Sequence, residues 1–249
     1  MITVSIIGSG KVAHHLILHL LEQEGIYLQQ VYARDTGKLP AYLPNDKIVN
    51  QLDQLTAVDL ILLAVSDDAI EQVTAAIPLQ NQLIAHTSGA SSIDAIKGPH
   101  RAGVFYMLQT FSLEKAIDFS EIPFCLEAQS DADFNLLEQV ALKFSEKVFD
   151  INSEQRRSIH IAAVFVSNFV NHMYVLGAEI CKENHVPFDI LKPLIQETAE
   201  KIKTLSPRKA QTGPAIRKDK KTIEKHLEFL VDPNLKNIYQ ILTQSIQQK

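Results

Sequence analysis

The chain has 249 residues, 46% hydrophobic and 21% charged, enough for one large or two modest cored domains. Its formal net charge of −5, with no block of basic residues, points away from nucleic acid. Two cysteines, Cys125 and Cys181, make neither a disulfide framework nor a metal site and suit a reducing cytoplasm. The sequence opens directly in a strand-like run, so no signal peptide is expected. The apolar run 60–65 is too short to cross a bilayer, and no membrane role is expected.

Residues 2–7 form a β-branched, apolar run. Gly8-Ser9-Gly10-Lys11-Val12-Ala13 follows at once, then apolar residues at helical spacing over 12–21. Strand, glycine turn and helix in that order are the opening of a dinucleotide-binding unit. Gly8 permits the sharp turn, Gly10 lets a pyrophosphate approach the backbone, and Ala13 allows close helix–strand packing. The phosphates would meet free N–H groups and the positive end of the helix dipole.

Further strands are predicted at 28–33, 47–49, 59–65, 83–86, 102–106, 123–127 and 147–150, with helices at 69–76, 92–96 and 132–144. This alternation predicts an α/β domain over 1–151, a doubly wound parallel sheet with helices on both faces. Residues 152–249 carry no strand-like run and read as an all-helical substrate and dimerisation domain. Asn152 and Gln155 mark its first helix start, and Asp219 a later one.

The end of the second strand separates the two nicotinamide dinucleotides. Ala33 and Arg34 stand there, and a guanidinium suits the 2′-phosphate of NADP better than the bare ribose of NAD. Asp35 either caps a turn or binds a ribose. Ala64, Val65 and Ser66 at one strand end, and Thr87 and Ser88 at the next, complete the expected cofactor site. Asp67 and Asp68 are alternative caps for the following helix, and Ser91 or Ser92 for the one after. Gln109 and Thr110 either line the cleft or belong to an exposed loop.

In the apolar helix over 153–183, His160, Ser167 and Asn171 fall on one stripe at 100° per residue, with Asn168 at its edge. Such a stripe forms an internal network or faces a ligand. On the second reading His160 delivers a proton, Asn168 orients the substrate, and Asn171 contacts it. Arg217 is a candidate for a substrate carboxylate or a partner subunit.

Six motifs in order carry a resemblance over nearly the whole chain: GxGxVA at Gly8, LLAVxDDAI at Leu62, HTSGA at His86, QTFS at Gln109, HxAAVxxSN at His160 and TGPAxRxD at Thr212. Together the chain resembles the Rossmann-like proteins with a C-terminal domain of unknown function, labelled NADP-dependent oxidoreductases. Their architecture is similar to that of pyrroline-5-carboxylate reductases and β-hydroxyacid dehydrogenases. The resemblance implies a Rossmann domain, a helical domain and a homodimer through the helices. Two positions depart from it. Many relatives have His-Pro where Tyr106-Met107 stands, and Val164 occupies the place of the catalytic lysine of β-hydroxyacid dehydrogenases. The expectation is an NADP-dependent reductase of a small carbonyl, imine or hydroxy compound. A dinucleotide-binding sensor or scaffold without turnover is the alternative.

Overall fold

The computed structural model describes residues 1–248. Eight strands, β1 (Ile2–Ile7), β2 (Ile26–Tyr32), β3 (Ile48–Val49), β4 (Leu60–Leu63), β5 (Leu83–His86), β6 (Arg101–Met107), β7 (Phe124–Ala128) and β8 (Val148–Asp150), build one sheet. Their order is β3-β2-β1-β4-β5-β6-β7-β8. The helices are α1 (Lys11–Glu22), α2 (Ile70–Ala75), α3 (Asp131–Ala141), α4 (Ser153–Ala163), α5 (Phe169–Glu183), α6 (Lys192–Lys201), α7 (Pro207–Ala210), α8 (Lys220–Phe229) and α9 (Pro233–Gln247).

The expected sheet was parallel throughout, and it departs from that at one place. β6 and β7 pair antiparallel, with Tyr106 opposite Cys125. The segment between them holds a single 3₁₀ turn, Phe119–Glu121, and no α-helix, so it supplies no helical crossover of the kind a parallel return uses. The remaining neighbours pair in parallel.

β4 shows why the central strands read as unbroken apolar runs. Leu60 and Leu62 enter the core on one face, with Leu16, Ile17 and Leu20 of α1. Ile61 and Leu63 enter the core on the other, with Ile70 of α2. A strand covered on both faces needs apolar residues at every position. The chain lays β2 and β3 on one side of β1 and then crosses back to place β4 on the other, so a crevice opens beyond the carboxyl ends of β1 and β4.

Two compact units divide the chain, Met1–Val166 and Ser167–Lys249. The last strand ends at Asp150, yet the first unit continues through α4. Arg156 explains this extension. It is fully buried, pairs with Glu127 of β7, and donates to the Ser91 carbonyl at 2.5 Å.

The helix over 153–183 is interrupted by a π turn, Val164–Asn168. Such a turn takes one residue more than an α turn, so a 100° count from His160 does not carry across it. The stripe of His160, Ser167 and Asn171 expected for an ideal helix is therefore not the stripe of this one. Among the described residues this is the one helix long and apolar enough to cross a membrane, with a mean hydropathy of 1.4.

Among the described residues the second unit holds helices and turns and no strand. Leu176, Ala215 and Leu235 are buried in it, while Leu194, Ile190, Phe229, Val231 and Ile241 stay exposed. Asp219 caps α8, its carboxylate accepting from the Thr222 N–H at 3.2 Å and the Thr222 hydroxyl at 2.7 Å.

Candidate functional site

The glycine turn joins β1 to α1 as the spacing predicts. Gly8 has φ of +139°, and a Cβ there would run into the Ala64 carbonyl. Only glycine meets both conditions. At Gly10 a Cβ would find nothing within 4 Å, so this backbone faces open space. Gly10 is also the N-cap of α1 and provides no side-chain cap. The first N–H groups of the helix are left for an incoming anion.

These groups open into a cleft of about 580 Å³. Of the expected cofactor residues, Gly8, Ser9, Gly10, Lys11, Val12, Ala33, Arg34, Ala64, Val65, Ser66 and Thr87 line it. Asp35 also lines the cleft, with its carboxylate tied into its own turn. Its carboxylate accepts from the Gly37 N–H at 3.1 Å and lies 3.5 Å from the Lys38 ammonium. Asp35 is thus the cap of a 3₁₀ turn, one of the two roles open to it in the sequence. Lys38 also lines the cleft beside Arg34. Open helix N–H groups, a side-chain-free approach at Gly10 and two cations at the second strand end fit a phosphorylated dinucleotide.

Ser88 is not among the lining residues. Its hydroxyl accepts from the Ala90 and Ser91 N–H groups at 3.1 and 2.9 Å and closes its own turn. Ser92 caps the next turn, accepting from the Asp94 N–H. Asp67 and Asp68 lie in the first turn of a short 3₁₀ segment whose N-cap is Ser66, and neither is the cap. Gln109 and Thr110 are exposed, and the Gln109 side-chain Oε1 accepts from the Thr110 N–H at 2.8 Å. Phe111, two residues on, is the one that lines the cleft.

A second feature sits on the same carboxyl edge of the sheet, beyond Thr87. The Tyr106 hydroxyl at the end of β6 lies 3.1 Å from Nδ1 of His160 on α4. Tyr106 is almost buried, and its desolvation pushes the phenol pKa up to about 12. Gly89 closes on both rings: a Cβ there would stand 2.5 Å from His160 Nδ1 and 2.7 Å from Tyr106 Cζ.

The loop that carries Gly89 is held at both ends. At one end His86, fully buried, shares Nε2 with the Ser92 carbonyl at 3.1 Å while Nδ1 accepts from the Ser88 N–H at 3.2 Å. Burial, together with the nearby Arg156 charge, lowers its pKa to about 4, so the ring is neutral. At the other end Arg156 holds the Ser91 carbonyl, and the Ser153 hydroxyl donates to Glu127 at 2.8 Å and accepts from the Ile93 N–H at 3.0 Å.

His160 is the expected catalytic residue that the structure places in a defined polar contact. Asn168 and Asn171 are exposed and belong to the second unit, as does the exposed Arg217. Sequence reasoning missed Tyr106, Phe111 and the Arg156–Glu127 pair. Tyr106 carried a readable signal: a polar residue in an otherwise apolar run, at the carboxyl end of a central strand.

The family model for a domain of unknown function, DUF2520, matches residues 122–246. Among solved structures, a Bacteroides fragilis protein provisionally named as an NADP oxidoreductase is 37% identical, with a TM-score of 0.90, over 100% of this chain and 98% of its own. An imine reductase from Myxococcus stipitatus, in complex with NADP+, is 15% identical with a TM-score of 0.66, over 99% of this chain and 92% of its own. A 1-pyrroline-5-carboxylate reductase from Streptococcus pyogenes is 16% identical with a TM-score of 0.59, over 100% and 99%. The last two likenesses are of fold. No curated protein matches. The sheet order, the glycine turn, the helical second unit and these matches lead to one assignment: the chain belongs to the DUF2520 family, as a relative of the Bacteroides fragilis protein.

Proposed function

We propose that this protein is an NADP-dependent oxidoreductase acting on a small carbonyl, imine or hydroxy compound. The observation that carries the reading is Arg34. It lies in the cleft beside the glycine turn together with Lys38, and the Asp35 carboxylate, which also lines the cleft, accepts from the Gly37 N–H of its own turn. A guanidinium left to face the cleft is matched to a 2′-phosphate. The names of the structural neighbours, an NADP oxidoreductase and reductases of imines and pyrroline carboxylate, support the same reading.

When bound, the cofactor supplies hydride chemistry, and the protein supplies orientation, water exclusion and a proton. His160 is the proposed proton donor, its Nδ1 held 3.1 Å from the Tyr106 hydroxyl. Asn168, Asn171, Gln109, Thr110 and Arg217 are proposed substrate contacts. Ser88 is proposed to act through the backbone of its loop, its hydroxyl being used within the turn.

A homodimer through the helical unit belongs to the proposal, as does a cytoplasmic setting. The exposed Ile190, Leu194, Phe229, Val231 and Ile241 support the dimer. A unit of this size that buries so little of its apolar surface gains stability from a second copy.

Val164, in the place of the lysine expected for β-hydroxyacid dehydrogenases, favours the alternative of a sensor without turnover. A panel of cyclic imines, aldehydes and ketones with NADPH, and of hydroxy acids with NADP+, separates the two by the change in NADPH absorbance. Turnover of one class, lost on His160→Ala, is the expected result. NADPH binding without oxidation by any member of the panel would favour the sensor.

A further inference from the structure

Tyr106 is the residue whose chemistry the reading above leaves unused. Its phenol is almost buried, sits on the carboxyl edge of the sheet next to the cleft strand β5, and meets one polar side chain, His160 Nδ1, at 3.1 Å. Among the described residues the other ring nitrogen of His160, Nε2, has no protein partner in the hydrogen-bond network. Gly89 supplies an independent observation. A side chain at that position would strike both rings, so the loop closes on the pair only because residue 89 has none. The loop is in turn fixed by His86 and by the buried Arg156.

We propose that Tyr106 is a positioning residue that sets the proton of His160. The phenol O–H donates to Nδ1, which leaves the neutral ring its proton on Nε2. The free nitrogen is then an N–H donor, matched to an acceptor atom with a lone pair such as a carbonyl oxygen or an imine nitrogen. When the ring is protonated, Nδ1–H donates to the phenol oxygen instead, and the proton on Nε2 is the one released. After that release the ring holds Nδ1–H on the phenol oxygen only transiently. A proton taken up from water at Nε2 restores the imidazolium, and loss of the Nδ1 proton to water then returns the resting Nε2–H tautomer with the phenol donating, so no charge or electron is left over. The use made of the proton rests on the reductase reading, but the tautomer does not.

The test is nitrogen-15 NMR of the histidine rings in the protein alone, under alkaline conditions that keep the rings neutral, with His160→Gln used to assign its signals. In the wild type, His160 is expected to show one tautomer, with the proton on Nε2. Tyr106→Phe should move both nitrogen shifts toward the averaged values of a ring exchanging between tautomers. Gly89→Ala, which keeps both groups but wedges a methyl between loop and rings, should do the same. It serves as the readout if Tyr106→Phe does not fold. An unchanged His160 pattern in the folded variant would overturn the proposal, and so would a wild-type ring protonated on Nδ1. Because no cofactor or substrate is present, this result stands apart from whether NADPH is turned over.

Discussion

His86 shows what a single buried residue adds to the edge of the site. It ties the Gly89 loop through both ring nitrogens, and burial holds its pKa near 4 against an ordinary 6.5. As the pH falls from 6.5 toward 4, the unfolded chain takes up a proton that the folded chain refuses. Stability is therefore full above about pH 6.5 and declines through this window, by roughly 3 kcal/mol at its lower end. Below about pH 4 the folded ring protonates as well, and the loss levels off. His86→Gln should be less stable at pH 7 but should show a flatter decline to pH 4.5, measured by urea unfolding at both values. Parallel declines in the two proteins would mean that His86 is not the titrating group. The sequence located His86 at a strand end, but its neutrality comes first from burial and then from Arg156, seventy residues on, which no local pattern reveals.

At the scale of elements, α4 is fastened to the sheet by a buried charge pair. Arg156 is fully buried against Glu127 of β7. Arg156→Met leaves a carboxylate half-stranded, and the expected loss is about 3–5 kcal/mol. The double variant Arg156→Met, Glu127→Leu removes both charges and should recover most of it. Urea unfolding of the three proteins reads this directly; a double variant no better than the single one would assign the loss to packing. Periodicity identified β1 and β4 because their residues are apolar for simple reasons of coverage. It gave no sign of Arg156, since Gln155-Arg156-Arg157 has the look of a solvated helix start. Nor did it show the π turn at Val164–Asn168, because one extra residue in a turn leaves no mark on composition. The 100° count behind the expected polar stripe does not carry across that turn.

For the whole molecule, the nucleotide end of the site was legible and the reactive end only partly so. Gly8 is required by backbone geometry, Gly10 leaves the approach to the helix open and Arg34 supplies charge; these effects act locally, and the three residues come together in one cleft. The Tyr106–His160 pair spans 54 residues and depends on the antiparallel return of β7 and on Arg156, so it emerges only in three dimensions. The central claim is that the cleft holds NADP through Arg34, and the most direct measurement is fluorescence titration of the wild type and Arg34→Ala with NADPH and NADH. The wild type should prefer NADPH. Arg34→Ala should weaken NADPH by about ten- to a hundredfold, the worth of one charge-assisted contact, with NADH little changed. No binding of either dinucleotide at millimolar levels, or equal losses for both on Arg34→Ala, would contradict the account.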